Sequence, residues 1–322
     1  MNYLCLKKPN KNYDNKRKLI IMKKKKGILP ALIAILAGII TVFIAISDDE
    51  PSDCFTWKVK INESTFYLAG SIHGASEGNY PLPKTYLKSY KKADKVIFEL
   101  EDDFETLENK IFLYAEKDKL PDGLNLGDSL NSESIDKLKE IIENDKLDKS
   151  LGYEAWLLNM FIAGSKSKLC GYDPKLAIDK YFHDLATRDK KEIIGLDEIQ
   201  TQLALFDFDL PFKIQIQILE KAVSEMAMKA RGEEELFKAY FENNLVKFEK
   251  EFLKPYDFKN PQMKKMYDIV FTKRNTSWVE QFIELSKGNP GSYFVLVGSG
   301  HYFGPDNILE LLESKGYTIE KI

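Results

Sequence analysis

Two of the three histidines in this 322-residue chain stand in the same short frame, one near each end. The first frame is Gly70-Ser71-Ile72-His73 and the second is Gly298-Ser299-Gly300-His301. Each follows an apolar, β-prone run, Phe66–Ala69 in one case and Tyr293–Val297 in the other. Glycine supplies either a positive φ or a close backbone approach at such a turn. Each frame therefore reads as a strand that ends in a glycine turn and carries an imidazole at its tip, where α/β folds gather ligands and catalytic groups. Two imidazoles from opposite ends of a chain act together only if the fold brings both strand ends to one place. A lone Gly-x-x-His says little, because many histidines only satisfy a core hydrogen bond. The repetition, each time after a strand, gives the pattern its weight. Side chains at such tips are expected to be replaceable without damage to the core.

The pattern around and between the frames is that of an α/β domain, with α+β the alternative. Phe55–Ile61 alternates as a strand and Asn62-Glu63-Ser64 turns it back. Pro81–Lys92 reads as a helix, and Val96–Leu100 as a buried strand that encloses Glu99. Residues 102–165 are helical in pattern, with Asn131 or Ser132 as an N-cap. Leu169–Tyr172 is a short strand or turn, Lys175–Arg188 a helix carrying His183, and Glu192–Leu196 another buried strand. Residues 211–288 are again helical and include one long helix from Glu233 to Phe252. Asp306–Lys315 is a helix stopped by Gly316, before a last strand over Tyr317–Ile322. The expected architecture is a central mixed sheet with helices on its faces and helical insertions. The first and last parts echo each other as strand, Gly-Ser-x-His, helix and strand, a pseudo-symmetry that would juxtapose the two histidines.

Charge is divided along the chain. Residues 1–26 hold ten basic side chains against Asp14, a balance of +9, so the whole-chain charge of −3 leaves −12 for the remainder. An acidic remainder argues against nucleic acid as a partner, since a nucleic-acid groove needs clustered Lys and Arg. The basic segment is followed by a transmembrane-type segment at 27–47, of which Gly27–Ile46 carries no charge. Its length suffices to cross a bilayer, and the lysines before it with Asp48-Asp49-Glu50 after it obey the positive-inside rule. The reading is a single-pass anchor in the cell membrane, a linker over 48–54, and an extracytoplasmic domain over 55–322. If the segment is instead a signal peptide, Ala45-Ile46-Ser47 is where it is cut and the domain is secreted. An exported domain tolerates disulfides, and Cys54 with Cys170 is the expected pair.

The stretch Val297–Asp306, followed by Leu311-Leu312 and Lys315-Gly316-Tyr317, resembles the end of TraB/PrgY/GumN proteins. Trp57-Lys58-Val59 with Tyr67–His73 resembles the start of that domain, and Ala93-Asp94 with Phe98–Glu101 its next strand. Gly171-Tyr172-Asp173, Ile178-Asp179, Gly195-Leu196-Asp197, Gln202, Arg231-Gly232-Glu233, Arg274-Asn275 and Trp278 follow in order. The chain has Asp197 where family members usually carry Glu, and Ser71 where Thr is frequent. His183 matches no motif of the family and reads as a surface or helix-packing residue.

This family is similar to the Tiki proteins, which are membrane-anchored, metal-dependent peptidases. The resemblance implies His73, His301 and Glu99 as catalytic and metal-site residues, for a divalent ion such as Mn, Co or Zn. Glu99 is ligand or general base, with Glu101 as the fallback carboxylate two residues on. Gly70, Ser71, Arg274, Asn275, Gly298, Ser299 and Gly300 would support the site or the substrate. Two imidazoles and a carboxylate form a ligand set that leaves positions open for water and substrate. The expected activity is hydrolysis of a peptide or protein substrate. The alternatives are a non-catalytic protein that sequesters peptides, and an esterase-like hydrolase that uses histidine without metal. The HExxH, Gly-x-Ser-x-Gly and P-loop signatures are absent.

Overall fold

The chain turns back on itself at Asn62, whose φ of 52° is one that asparagine tolerates. This turn joins strand β1 (Thr56–Ile61) to β2 (Ser64–Ser71) as an antiparallel hairpin. The computed structural model describes residues 54–322 except 205–210. The expected basic segment, the apolar segment at 27–47 and most of the linker lie outside the described residues. Among the described residues no helix is long and apolar enough to cross a membrane.

Four further strands complete a six-stranded mixed sheet: β3 (Lys95–Phe98), β4 (Glu192–Gly195), β5 (Ser292–Gly298) and β6 (Ile319–Lys321). The order is β4-β3-β5-β2-β1-β6, with β2, β5, β3 and β4 parallel and both β1 and β6 pairing antiparallel. The strands that carry the two histidine frames are therefore neighbours, and Ser71 pairs with Gly298 across them.

Parallel strands are covered on both faces, which explains why Tyr293–Val297 is apolar without alternation. On one face, Phe294 meets Tyr90 of helix α1 (Lys84–Lys92) and Phe182, with ring centroids 5.8 and 4.9 Å away. On the other, Phe66 stacks on Tyr293 at 4.7 Å and meets Phe282 at 5.5 Å. Each ring buried this way contributes roughly 1.5–3 kcal/mol, so these contacts anchor helices to both sides of the sheet.

Two helical insertions leave the sheet edge. The first, between β3 and β4, contains α2 (Phe104–Ala115), α3 (Ser132–Ile141) and α4 (Ala155–Leu169), and ends in α5 (Ile178–Asp189). Asn131 caps α3 by accepting from the Ser134 N–H. The second, between β4 and β5, contains α6 (Phe212–Phe241), α7 (Leu245–Leu253) and α8 (Lys273–Gly288). A separate apolar cluster binds the insertions together, with Leu138 of α3, Leu158 and Ile162 of α4, and Leu219 and Val223 of α6. The last helix, α9 (Ile308–Ser314), ends before Gly316, which takes a positive φ of 89°.

Three expectations need correction. The helix expected from Glu233 to Phe252 is broken, because Asn243 adopts a left-handed φ of 54° and Asn244 caps a new helix through the Lys247 N–H. The strand expected to enclose Glu99 stops one residue before it, at Phe98. Cys54 and Cys170 are thiols and form no disulfide. The Cys54 Sγ lies 2.9 Å from Thr56 Oγ1 beside the sheet edge, whereas Cys170 donates to Lys166 O at the end of α4.

Candidate functional site

The carboxyl ends of the four parallel strands lie at one edge of the sheet, where open α/β folds bind ligands. Ladder register aligns them, since Ser71 pairs with Gly298, Phe98 with Leu296, and Phe98 with Gly195. One residue beyond β3 stands Glu99, and two beyond β4 stands Asp197, whose N–H donates to Glu99 O at 2.8 Å. His73 follows β2 and His301 follows β5.

Glu99 is the hub. Its Oε1 accepts the Gly298 N–H at 2.8 Å, and its Oε2 accepts Arg274 Nη2 at 2.6 Å. Burial alone would push this carboxyl upward, but Arg274, then the two imidazoles and the Gly298 N–H, lower its pKa to about 2. Arg274 also donates Nε to Asp197 Oδ2 at 2.8 Å and lies over the Trp278 ring. Trp278 Nε1 completes the bracket by donating to Asp197 Oδ1 at 2.8 Å. Gln202 Nε2 reaches Asp197 at 3.2 Å and Glu99 at 3.4 Å. The turn before Arg274, Asp268–Thr272, is π-helical, a local widening often found at functional sites.

His301 is only 3 % exposed. Its Nδ1 lies 2.6 Å from Asn275 Oδ1, while Asn275 Nδ2 donates to Asp306 O. The amide is thereby oriented with its oxygen toward the ring, so Nδ1 carries the hydrogen and Nε2 the lone pair. That Nε2 lies 3.3 Å from Arg274 Nη1 and 3.9 Å from Glu99 Oε1. Burial lowers the His301 pKa to about 3, Glu99 opposing the shift and Arg274 and His73 reinforcing it, so the ring is neutral. Trp278 and Phe271 flank it with centroids 4.3 and 5.1 Å away. The expectation that both histidines can be lost without harm to the core thus fails for His301.

His73 fits that expectation, because 72 % of its side chain is exposed. Its Nδ1 faces Asp179 Oδ2 at 3.3 Å, at the start of α5. Backbone pairing between Ala75 and Asp173 brings that helix against the strand end. Asp179 raises the His73 pKa and burial opposes it, although water reaching the open ring screens the attraction.

Gly298 shows how these groups converge. A Cβ at Gly298 would lie 3.2 Å from Glu99 Oε1, 3.8 Å from His301 Cδ2 and 3.9 Å from His73 Nε2. The three side chains therefore border one small cradle at Gly298, where a side chain would crowd Glu99 Oε1. The other motif glycines serve close packing, not positive φ. A Cβ on Gly70 would meet Ser299 Oγ at 2.4 Å, and one on Gly300 would meet Phe252 Cε2 at 2.6 Å. Ser71 lines the cleft in front of the cradle, whereas Ser299 is buried against Gly70 and its Oγ has no hydrogen-bond partner.

Glu101 does not join the set. With β3 ending at Phe98, strand alternation no longer carries residue 101 to the face of residue 99, and Glu101 is not among the residues that line the cleft, while its backbone carbonyl accepts His183 Nε2. His183 is buried 5.2 Å from the Phe98 ring, a helix-packing residue that also borders the cleft. Asp179, Asp197 and Gln202 were not among the expected site residues. Each sits in a segment that carried the resemblance, and the strand-ending Gly195-Leu196-Asp197 was the clearest available signal.

The donor chemistry suits a divalent ion, with two imidazoles whose Nδ1 atoms are engaged by oxygen acceptors and one ionised carboxylate. Among the described residues no three His, Cys, Asp or Glu side chains already gather closely enough to enclose an ion. Arg274 is the cation that neutralises Glu99 in this arrangement.

The TraB/PrgY/gumN family model matches residues 55–321. The uncharacterized protein YbaP of Escherichia coli strain K12 is 25 % identical over 253 residues, covering 77 % of this chain and 87 % of its own length. Its Shigella flexneri counterpart, also uncharacterized, is 25 % identical over 252 residues, covering 76 % and 87 %. No solved structure matches the chain. With the match extending from the first strand of the sheet to the last, the chain belongs to the TraB/PrgY/gumN family.

Proposed function

We propose that this protein is a metal-dependent hydrolase acting on peptides, with its centre at His73, His301 and Glu99. The observation that carries the reading is the shared cradle at Gly298, bordered by both imidazoles and the carboxylate. His73, His301 and Glu99 would hold a divalent ion, which supplies Lewis acidity toward a scissile carbonyl and activates water. The chain's own residues do the preparatory work. Asn275 fixes the His301 tautomer and Asp179 orients His73. Arg274 and the Gly298 N–H keep Glu99 ionised. A purified domain incubated with a peptide library is expected to cleave it, to lose that activity in chelator, and to regain it with added Mn, Co or Zn. Cleavage that chelator leaves untouched would remove the metal from this reading.

One observation favours the metal-free alternative. Arg274 already engages Glu99 at 2.6 Å and faces His301 Nε2 at 3.3 Å. In that arrangement the His73–Asp179 pair would act as general base in the open cleft, and Arg274 would stabilise developing negative charge. The chelator experiment separates the two readings.

We also propose that 27–47 anchors the chain in the membrane with the domain outside the cytoplasm, from the one-sided lysine flank. Protease added to intact spheroplasts is expected to degrade the domain. Full protection, with degradation only after lysis, would place it on the inner side.

A further inference from the structure

Two cavities open in sequence from the histidine cradle. The first, of about 680 Å³, has His73 and Glu99 at one end and is walled by Phe104 and Leu107 of α2, Met160 of α4, and Leu236 and Phe237 of α6. The three other acids that line it are paired, Asp102 with Lys110 at 2.5 Å, Glu233 with Lys166 at 3.4 Å and Asp179 with His73 at 3.3 Å. Its interior is thus apolar. The second cavity, of about 530 Å³, is lined by Ile141, Ile142 and Phe161 together with charged side chains of both signs, among them Glu105, Lys168 and the Glu108–Lys146 pair. The two share Phe104, Met160, Gly164 and Pro174, so they adjoin at a waist made by these residues.

Gly164 is the informative residue of that waist. It lies inside the 15-residue helix α4, where glycine is disfavoured relative to any ordinary side chain. It has no backbone need of glycine, since its φ is not among the positive values. A Cβ placed on it meets nothing within 4 Å. Neither packing nor turn geometry explains the glycine. Its place on the border of both cavities does.

We propose that Gly164 is a specificity-determining residue, and that the groove takes an extended peptide. A bulky apolar side chain next to the scissile bond fills the first cavity, and the chain continues over Gly164 with polar residues in the second. A compact acyl ester would need only the first cavity, whereas the second offers a longer chain both apolar surface and side chains that hydrogen-bond. This inference rests on the hydrolase reading for the bond that is cut, but not for the groove itself.

The experiment uses the full chain and two fluorogenic peptides with phenylalanine beside the labelled bond. One peptide ends there, and the other continues for four polar residues. Wild type is expected to prefer the longer peptide. In Gly164→Leu the ratio of kcat/KM for long over short peptide is expected to fall at least tenfold, mainly through KM. Gly164→Ala should give a smaller fall, and the melting temperatures of both variants should be no lower than that of wild type, because each improves the helix. An unchanged ratio in well-folded Gly164→Leu overturns the proposal. If wild type cleaves neither peptide, fluorescence anisotropy keeps the two readings apart. Binding of the long peptide that Gly164→Leu weakens tenfold supports the groove while the hydrolase reading fails, and equal binding by both proteins overturns the groove.

Discussion

Replacing His73 by Ala is expected to lower peptide hydrolysis by at least about 10²-fold, the lower end of what a positioned acid–base group alone contributes, and to cost less stability than the same change at His301. The asymmetry between the two histidines makes this the cleaner of the two tests. The His73 ring is open to the cleft, and its one polar contact among the described residues is Asp179 at 3.3 Å. Its removal creates no cavity. His301→Ala should lose as much activity, but it also leaves Asn275 Oδ1 unpartnered in a fully buried position and opens a void beside Trp278. A stability loss of about 2–4 kcal/mol is expected there from the cavity and the orphaned acceptor together. The double variant should be little less active than either single one, because groups that act as a unit are strongly non-additive. Glu99→Gln separates ligand from base. If Glu99 holds the ion, metal content measured by mass spectrometry falls with turnover; if it is the base, metal stays and only turnover drops. Undiminished turnover in folded His73→Ala would end the shared-site reading.

The convergence of these groups was legible in the sequence because both histidine frames follow strands, and a parallel sheet presents its strand ends together. The Tyr293–Val297 run, apolar at every position, already implied a strand covered on both faces. The fate of Glu99 was harder to read. Strand periodicity placed Glu99 and Glu101 on one face, but the ladder stops at Phe98, and beyond it the direction of a side chain is set by hydrogen bonds that no local pattern encodes. That Arg274 supports the site was expected, but not which acids it pairs with. Its partners are Asp197 and Glu99, which arrive from different strands and meet it only through the tertiary fold. The break between α6 and α7 depends on Asn243 taking a left-handed φ, a choice that amphipathic periodicity on either side gave no reason to expect. The expected disulfide failed because two cysteines in an exported domain define a redox possibility and not a distance. Cys54 lies beside the C-terminal strand of the sheet, whereas Cys170 closes a helix of the insertion.

Arg274→Met is expected to carry the largest stability cost of any single change at the site, about 3–5 kcal/mol at neutral pH. The guanidinium side chain is 12 % exposed and its two carboxylate partners, Glu99 and Asp197, are 19 % and 8 % exposed. Removing one member of a buried ion pair leaves the other charge uncompensated, and that penalty exceeds the net worth of the pair itself. A typical domain is stable by only about 5–15 kcal/mol, so this loss is large. Its pH dependence is distinctive. In wild type the Glu99 pKa is lowered from 4.5 to about 2. A group depressed on folding contributes stability above its unfolded value, here roughly 3 kcal/mol, which disappears as pH falls from about 5 toward 2. In the variant the balance reverses. Burial, the largest influence on Glu99, pushes its pKa upward once Arg274 no longer opposes it. The penalty is then greatest above the new pKa and shrinks as acid protonates the carboxyl. Denaturant unfolding between pH 4 and 8 should therefore show the two proteins converging toward acid and diverging toward neutrality. Adding Glu99→Gln to Arg274→Met should recover part of the loss, as a neutral amide needs no counter-charge, and the coupling between the two sites should exceed about 1 kcal/mol. Parallel pH profiles, with a loss below 1 kcal/mol and no recovery in the double variant, would mean that Arg274 does not hold the site's charge in balance.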